Sequence, residues 1–117
     1  MGGFTMKWLT AVLVLATLVA ATSAFAEEWK NVPLVDKMCL NKVKADPDAH
    51  PASCLRMCAE SGYGILMSDG KWVPFDAAGN DLALKALKAT DKKDHIRVNV
   101  TGELSDNTIK VTALTIP

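Results

Sequence analysis

The chain has 117 residues, with 13 basic and 13 acidic side chains, two histidines and three cysteines; half of it is hydrophobic and 22% is charged. That length holds one core rather than two, and so ordinary a charged fraction excludes a disordered acidic or basic tail. Basic and acidic residues are interleaved, so the clustered Lys/Arg surface that phosphate-backbone binding requires is missing and nucleic acid is not an expected partner.

Residues 1–26 read as a targeting segment. Lys7 is its one charge, an apolar run extends from Trp8 to Ala21, and Thr22-Ser23-Ala24-Phe25-Ala26 leads into Glu27-Glu28. Basic, then apolar, then small is the order of a secretory signal peptide, with an Ala-x-Ala site that places cleavage between Ala26 and Glu27. The alternative is a membrane anchor, but the apolar run is shorter than the roughly 20 residues of a spanning helix and no basic stop-transfer cluster follows. The expected product is a secreted or periplasmic domain over residues 27–117, without a membrane span. Removing 26 of 117 residues leaves 91, a size at which a crosslink or a bound metal contributes appreciably to stability.

From there the elements follow closely. Trp29 to Met38 is apolar around Pro33, which would break a helical interior, so it is expected as an edge or entry strand. Asn41 to His50 carries Asp46-Pro47-Asp48 and reads as a loop with turn chemistry. Pro51 suits a first helical position and Gly62 the left-handed residue beyond a helix end, which predicts a helix from Pro51 to about Ser61 with His50 at or near its N-cap. Gly64 to Ser68 and Lys71 to Phe75 form a hairpin around Asp69-Gly70, expected as a two-residue turn with both central residues at positive φ. Asp76 to Asn80 reads as a Gly-containing turn. It leads into a helix from Asp81 that ends near Thr90, capped by Asn80 or Asp81, with Lys85 and Lys88 on its exposed face. Ile96, Val98 and Val100 alternate with His95, Arg97, Asn99 and Thr101, as in a half-buried strand. Ser105-Asp106-Asn107 turns the chain. Thr108 to Ile116 returns with Ile109, Val111 and Ala113 on one side, then a change of phase to Leu114 and Ile116 that implies a bulge.

This order predicts a mainly β fold with short helices. Five strands with a helix between the third and fourth is the order of an OB-fold, a small Greek-key barrel, here with the cysteine-bearing helix inserted between strands 1 and 2. An open antiparallel sheet packed by two helices is the alternative. The run Asp36-x-x-Cys39, His50-x3-Cys54-x3-Cys58, Gly62-Tyr63-Gly64, Asp69-Gly70-Lys71 and Val100-Thr101-Gly102 resembles a group of small secreted bacterial OB-like domains. The resemblance covers most of the chain beyond residue 26. It implies the compartment, the fold and the Cys/His pattern, and it supplies no activity.

Three cysteines cannot all pair within one chain. Cys54 and Cys58 are four apart on the expected helix, and His50 precedes Cys54 by four, so the soft-ligand residues fall between Cys39 and Cys58. Three readings stand. In the first, Cys39 forms a structural disulfide with Cys54 or Cys58, closing a loop worth about 3 kcal/mol and leaving one free thiol. In the second, Cys39, His50, Cys54 and Cys58 hold a metal, zinc for a tetrahedral Cys3His set or Cu(I) if thioethers such as Met38 and Met57 take part. In the third, Cys54 near a helix start is a redox thiol that Cys39 resolves.

Tyr63, Met67, Trp72 and Phe75 make either a ligand face on the hairpin or part of the core. His95 is expected as a solvent-facing strand residue, and Asp76, Asn80 and Asp81 lack the spacing of a calcium loop. Asn99-Val100-Thr101 has the form of a glycosylation acceptor but lies within an expected strand. No nucleophile-base arrangement or phosphate loop is visible. The expected protein is therefore a non-enzymatic binding domain whose partner is a metal ion or a protein or peptide.

Overall fold

The computed structural model describes residues 26–117, so the signal peptide expected over residues 1–26 falls, Ala26 apart, outside the described residues. Five strands form one antiparallel sheet in the order β3-β2-β1-β4-β5. Strand β1 (Glu27–Asp36) is the central strand rather than an edge one, paired with β2 on one side and β4 on the other; it starts exposed and ends in the buried run Leu34-Val35-Asp36. Its register on β4 (Arg97–Ser105) shifts between Trp29 and Val32. There Asn31 takes a left-handed φ of 54° and its N–H donates to Asn99 Oδ1 at 2.9 Å. Such a bulge bends the strand and sharpens its twist.

Between β1 and β2 (Tyr63–Leu66) the chain is more regular than a loop followed by one helix. It forms helix α1 (Leu40–Val43), a 3-10 turn at Pro47–Ala49, helix α2 (Ala52–Met57) and a 3-10 turn at Ala59–Ser61. Pro51 is the extended N-cap of α2 rather than its first helical residue, which sets His50 outside the helix. Gly62 ends the segment at φ 91°, the positive value expected of it.

The β2–β3 hairpin forms, with β3 at Trp72–Pro74, but its connection is not the two-residue turn expected at Asp69-Gly70. Gly70 N–H donates to Met67 O, Met67 N–H donates to Lys71 O, and Gly70 alone has positive φ. That is a three-residue loop closed by one left-handed glycine. The two-residue turn occurs instead at Asp106-Asn107, both left-handed, between β4 and β5 (Thr108–Thr115). The bulge in β5 is present: Thr101 pairs Ala113 while Gly102 pairs Val111, leaving Thr112 extra. Phase therefore changes one residue earlier than expected, so Ile109 and Val111 are buried and Ala113 is exposed.

Helix α3 (Ala77–Ala89) also starts a turn earlier than Asn80 or Asp81 would have it, capped by Asp76, whose Oδ1 accepts from Gly79 N–H at 2.9 Å. Gly79 serves packing here rather than a turn. A Cβ on it would lie 2.5 Å from Val111 Cγ2 and 2.8 Å from Phe75 Cβ, so only glycine lets the helix approach the sheet this closely. Asn80 accepts from Tyr63 N–H at 2.9 Å, which ties α3 to β2. Ala83 and Leu87 then close the core over Ile65, Val98, Val100 and Ile109. The fold is mainly β with short helices, and the sheet is not a closed barrel: β3 and β5 are joined at a single parallel bridge, Phe75 with Ile109.

Candidate metal centre

The apolar run that ends β1 carries a carboxylate into the interior. Asp36 is fully buried, which is costly for a charged group unless its oxygens are hydrogen-bonded. Both are. Oδ2 accepts from the Cys39 N–H at 3.0 Å, and Oδ1 lies 2.8 Å from His50 Nε2, which must donate because a carboxylate can only accept. The Asp-x-x-Cys spacing thus makes a turn in which the aspartate draws in the backbone of the cysteine.

His50 is held from the other side. It is 6% exposed and lies in extended backbone between the 3-10 turn at Pro47–Ala49 and the Pro51 cap. The turn is anchored by Asp48, whose carboxylate accepts from Arg97 Nε at 3.0 Å and Nη2 at 3.1 Å, and whose carbonyl accepts from His95 N–H at 2.9 Å. Arg97 Nη1 donates in turn to Asn31 O in the β1 bulge, at 2.9 Å. A two-pronged arginine–carboxylate contact fixes orientation as well as distance. The Arg97 hydrogen bonds hold the Asp48 carboxyl below its usual range. Exposed His95 is raised by its hydrogen bond to Asp94.

The outcome is a convergence. One ligand atom each from Asp36, Cys39 and His50 lie within 4.8 Å of one another, and two of the three residues are buried. Burial, followed by the negative charge of Asp36 and the neighbouring Cys58 thiol, pushes the Cys39 thiol up to about 11. At neutral pH that group is a protonated thiol and a poor nucleophile. Burial likewise carries the Tyr63 phenol to about 12, with Asp36 adding to it, and its hydroxyl donates to Leu55 O at 2.6 Å, fastening α2 to the sheet.

Of the four residues expected to hold a metal, the structure therefore brings Cys39 and His50 together and adds Asp36. Cys58 lies beside Cys39, past the end of α2, with its Sγ 3.9 Å from Met38 Sδ. Cys54 lies outside the group. His50 precedes the extended Pro51 cap and is not part of α2, so its four-residue spacing to Cys54 is not a helical one, and its imidazole meets Asp36 instead. The expected disulfide is not formed: Cys39, Cys54 and Cys58 are all free, and the Cys39 sulfur sits with the Asp36–His50 pair. On the hairpin, Tyr63 and Phe75 belong to the core, Met67 packs against it, and Trp72 donates from Nε1 to Val35 O at 3.1 Å while its ring covers Gly64. These side chains serve as core and lining rather than as an open ligand face.

Among the described residues no helix is long and apolar enough to cross a membrane. No protein-family model, no curated protein and no solved structure matches the chain, so its function is to be read from the Asp36, Cys39 and His50 group itself.

Proposed function

We propose that the chain is a small exported metal-binding protein in which Asp36, Cys39 and His50 hold a zinc ion. The observation that carries this is the convergence of a carboxylate, a thiol and an imidazole within 4.8 Å at a largely buried position. Oxygen, sulfur and nitrogen together match the borderline softness of zinc; calcium and magnesium favour all-oxygen sets and Cu(I) favours sulfur. Zinc bonds of about 2.0–2.3 Å set tetrahedral ligand edges of roughly 3.3–3.7 Å, which lies between the 2.8 Å of the hydrogen-bonded Asp36–His50 pair and the 4.8 Å limit of the group. Zinc would take the place of the His50–Asp36 hydrogen bond, with the imidazole proton then carried on Nδ1, and would release the thiol proton of Cys39 to solvent. Three protein donors leave a fourth position for water.

The strand order, the α3 position between β3 and β4 and the Phe75–Ile109 bridge support reading the sheet as an OB-like barrel with one nearly open seam. The resemblance to secreted OB-like domains and the signal-peptide pattern support export. One observation favours a second reading, a structural interaction module: among the described residues every buried side-chain nitrogen and oxygen already has a partner.

Zinc titration of the purified, chelator-treated chain, read by calorimetry and native mass, separates the two. Binding of one zinc that Asp36→Asn and His50→Ala each abolish supports the metal centre. Absence of binding, or binding indifferent to both substitutions, refutes it and leaves the interaction module.

A further inference from the structure

We infer that Met38, Cys58 and Cys39 form a second, all-sulfur site at the surface, suited to a soft monovalent cation, copper(I). Met38 is 71% exposed, so its side chain adds little to the core, yet its sulfur stands 3.9 Å from Cys58 Sγ. For metal–sulfur bonds of about 2.3 Å, the sulfurs around a trigonal ion lie about 4 Å apart, so this pair is already at ligand spacing. The third sulfur is Cys39, which follows Met38 in sequence and lies beside Cys58.

The spacing is built by backbone contacts. Ser61 Oγ accepts from Met38 N–H at 3.3 Å and donates to Cys58 O at 2.8 Å, so one side chain clamps the two sulfur-bearing residues from opposite sides. Two thiols and a thioether select Cu(I) over zinc, because soft donors favour the softer ion. Binding exchanges the two thiol protons for the ion, releases them to solvent and transfers no electron. The all-sulfur site rests on the proposed zinc centre in one respect: Cys39 belongs to both, so zinc and copper(I) exclude one another.

The test is anaerobic competition for Cu(I) against bathocuproine disulfonate, with zinc titration of the same proteins. Met38→Leu lowers copper(I) affinity by about tenfold or more. Cys58→Ser lowers it beyond the roughly 10–100-fold that a supporting residue costs, and neither changes zinc affinity. Cys54→Ser leaves copper(I) affinity unchanged, and X-ray absorption of the copper(I) form shows a sulfur-only shell. The inference is overturned if Met38→Leu and Cys58→Ser bind copper(I) as the parent does, if Cys54→Ser weakens it as much as Cys58→Ser, or if the absorption spectrum shows a nitrogen or oxygen ligand. Loss of zinc binding alone, with copper(I) binding intact, counts against the zinc centre and not against the sulfur site.

Discussion

Replacing His50 with alanine tests the physical basis of the centre without any metal present. Asp36 is 0% exposed, and His50 Nε2, at 2.8 Å, is the partner of one of its two oxygens. The substitution leaves Cys39 N–H on the other oxygen and strands half of a buried carboxylate. Leaving a buried acceptor without its hydrogen-bond partner costs about 1–3 kcal/mol, more for a charged group, a sizeable fraction of the roughly 5–15 kcal/mol that keeps a domain folded. For a fold of this size the melting temperature should fall by roughly 5–20 °C. His50→Gln keeps an N–H able to reach the carboxylate and should recover part of the loss. Zinc at a hundredfold excess over its dissociation constant should add about 2.7 kcal/mol to the parent and nothing to His50→Ala. Circular dichroism melts and urea titrations of chelator-treated protein, with and without zinc, measure both effects. A loss under about 1 kcal/mol would show that Asp36 does not depend on the imidazole, and equal zinc stabilisation of parent and variant would sink the centre.

Two other expectations concern the frame around the site. Asp76→Ala removes the acceptor for both Gly79 N–H and Val111 N–H and should cost about 1–2 kcal/mol by chemical denaturation, whereas loss below a few tenths would show that water replaces the cap. Because the Asp48 carboxyl is depressed when folded, its stabilisation is present above the unfolded value near 3.9 and is lost as pH falls through the lower folded value. Parent and Arg97→Met should therefore differ by a constant 1 kcal/mol or less between about pH 5 and 8, the pair being partly exposed, and converge in acid; a difference that persists at pH 2 would contradict this.

What the sequence made legible was the part governed by local periodicity. The alternation of Ile96, Val98 and Val100 placed one face of β4 in the core, and the phase change read after Ala113 announced the β5 bulge, which lies at Thr112. Elements set by tertiary contact were not legible. Gly79 looked like a turn residue because its reason for being glycine, the approach of Val111 and Phe75, lies in another strand and the preceding segment. Pro47–Ala49 looked like a loop because its order comes from Arg97, 49 positions on from Asp48. The site was half visible. Soft-ligand type picked out Cys39 and His50, while helical spacing admitted Cys54, which the structure leaves aside. Asp36 went unassigned, although a charged residue closing an apolar strand three positions before a cysteine was a usable signal: such a group must find a partner once the strand is buried.

The Asp76 carboxylate has a consequence for how the molecule comes apart. One oxygen serves the first turn of α3 and the β5 backbone together, and Asp76 N–H reaches Ile109 O beside the Phe75–Ile109 bridge across the seam. Helix start and seam therefore form one cooperative unit. Fraying α3 from its first turn releases the β5 edge, and opening the seam strips the helix of its cap. The Gly79 and Val111 amides should exchange with solvent through a shared opening event rather than as independent local fluctuations, which makes the seam the place where this small sheet yields as a block.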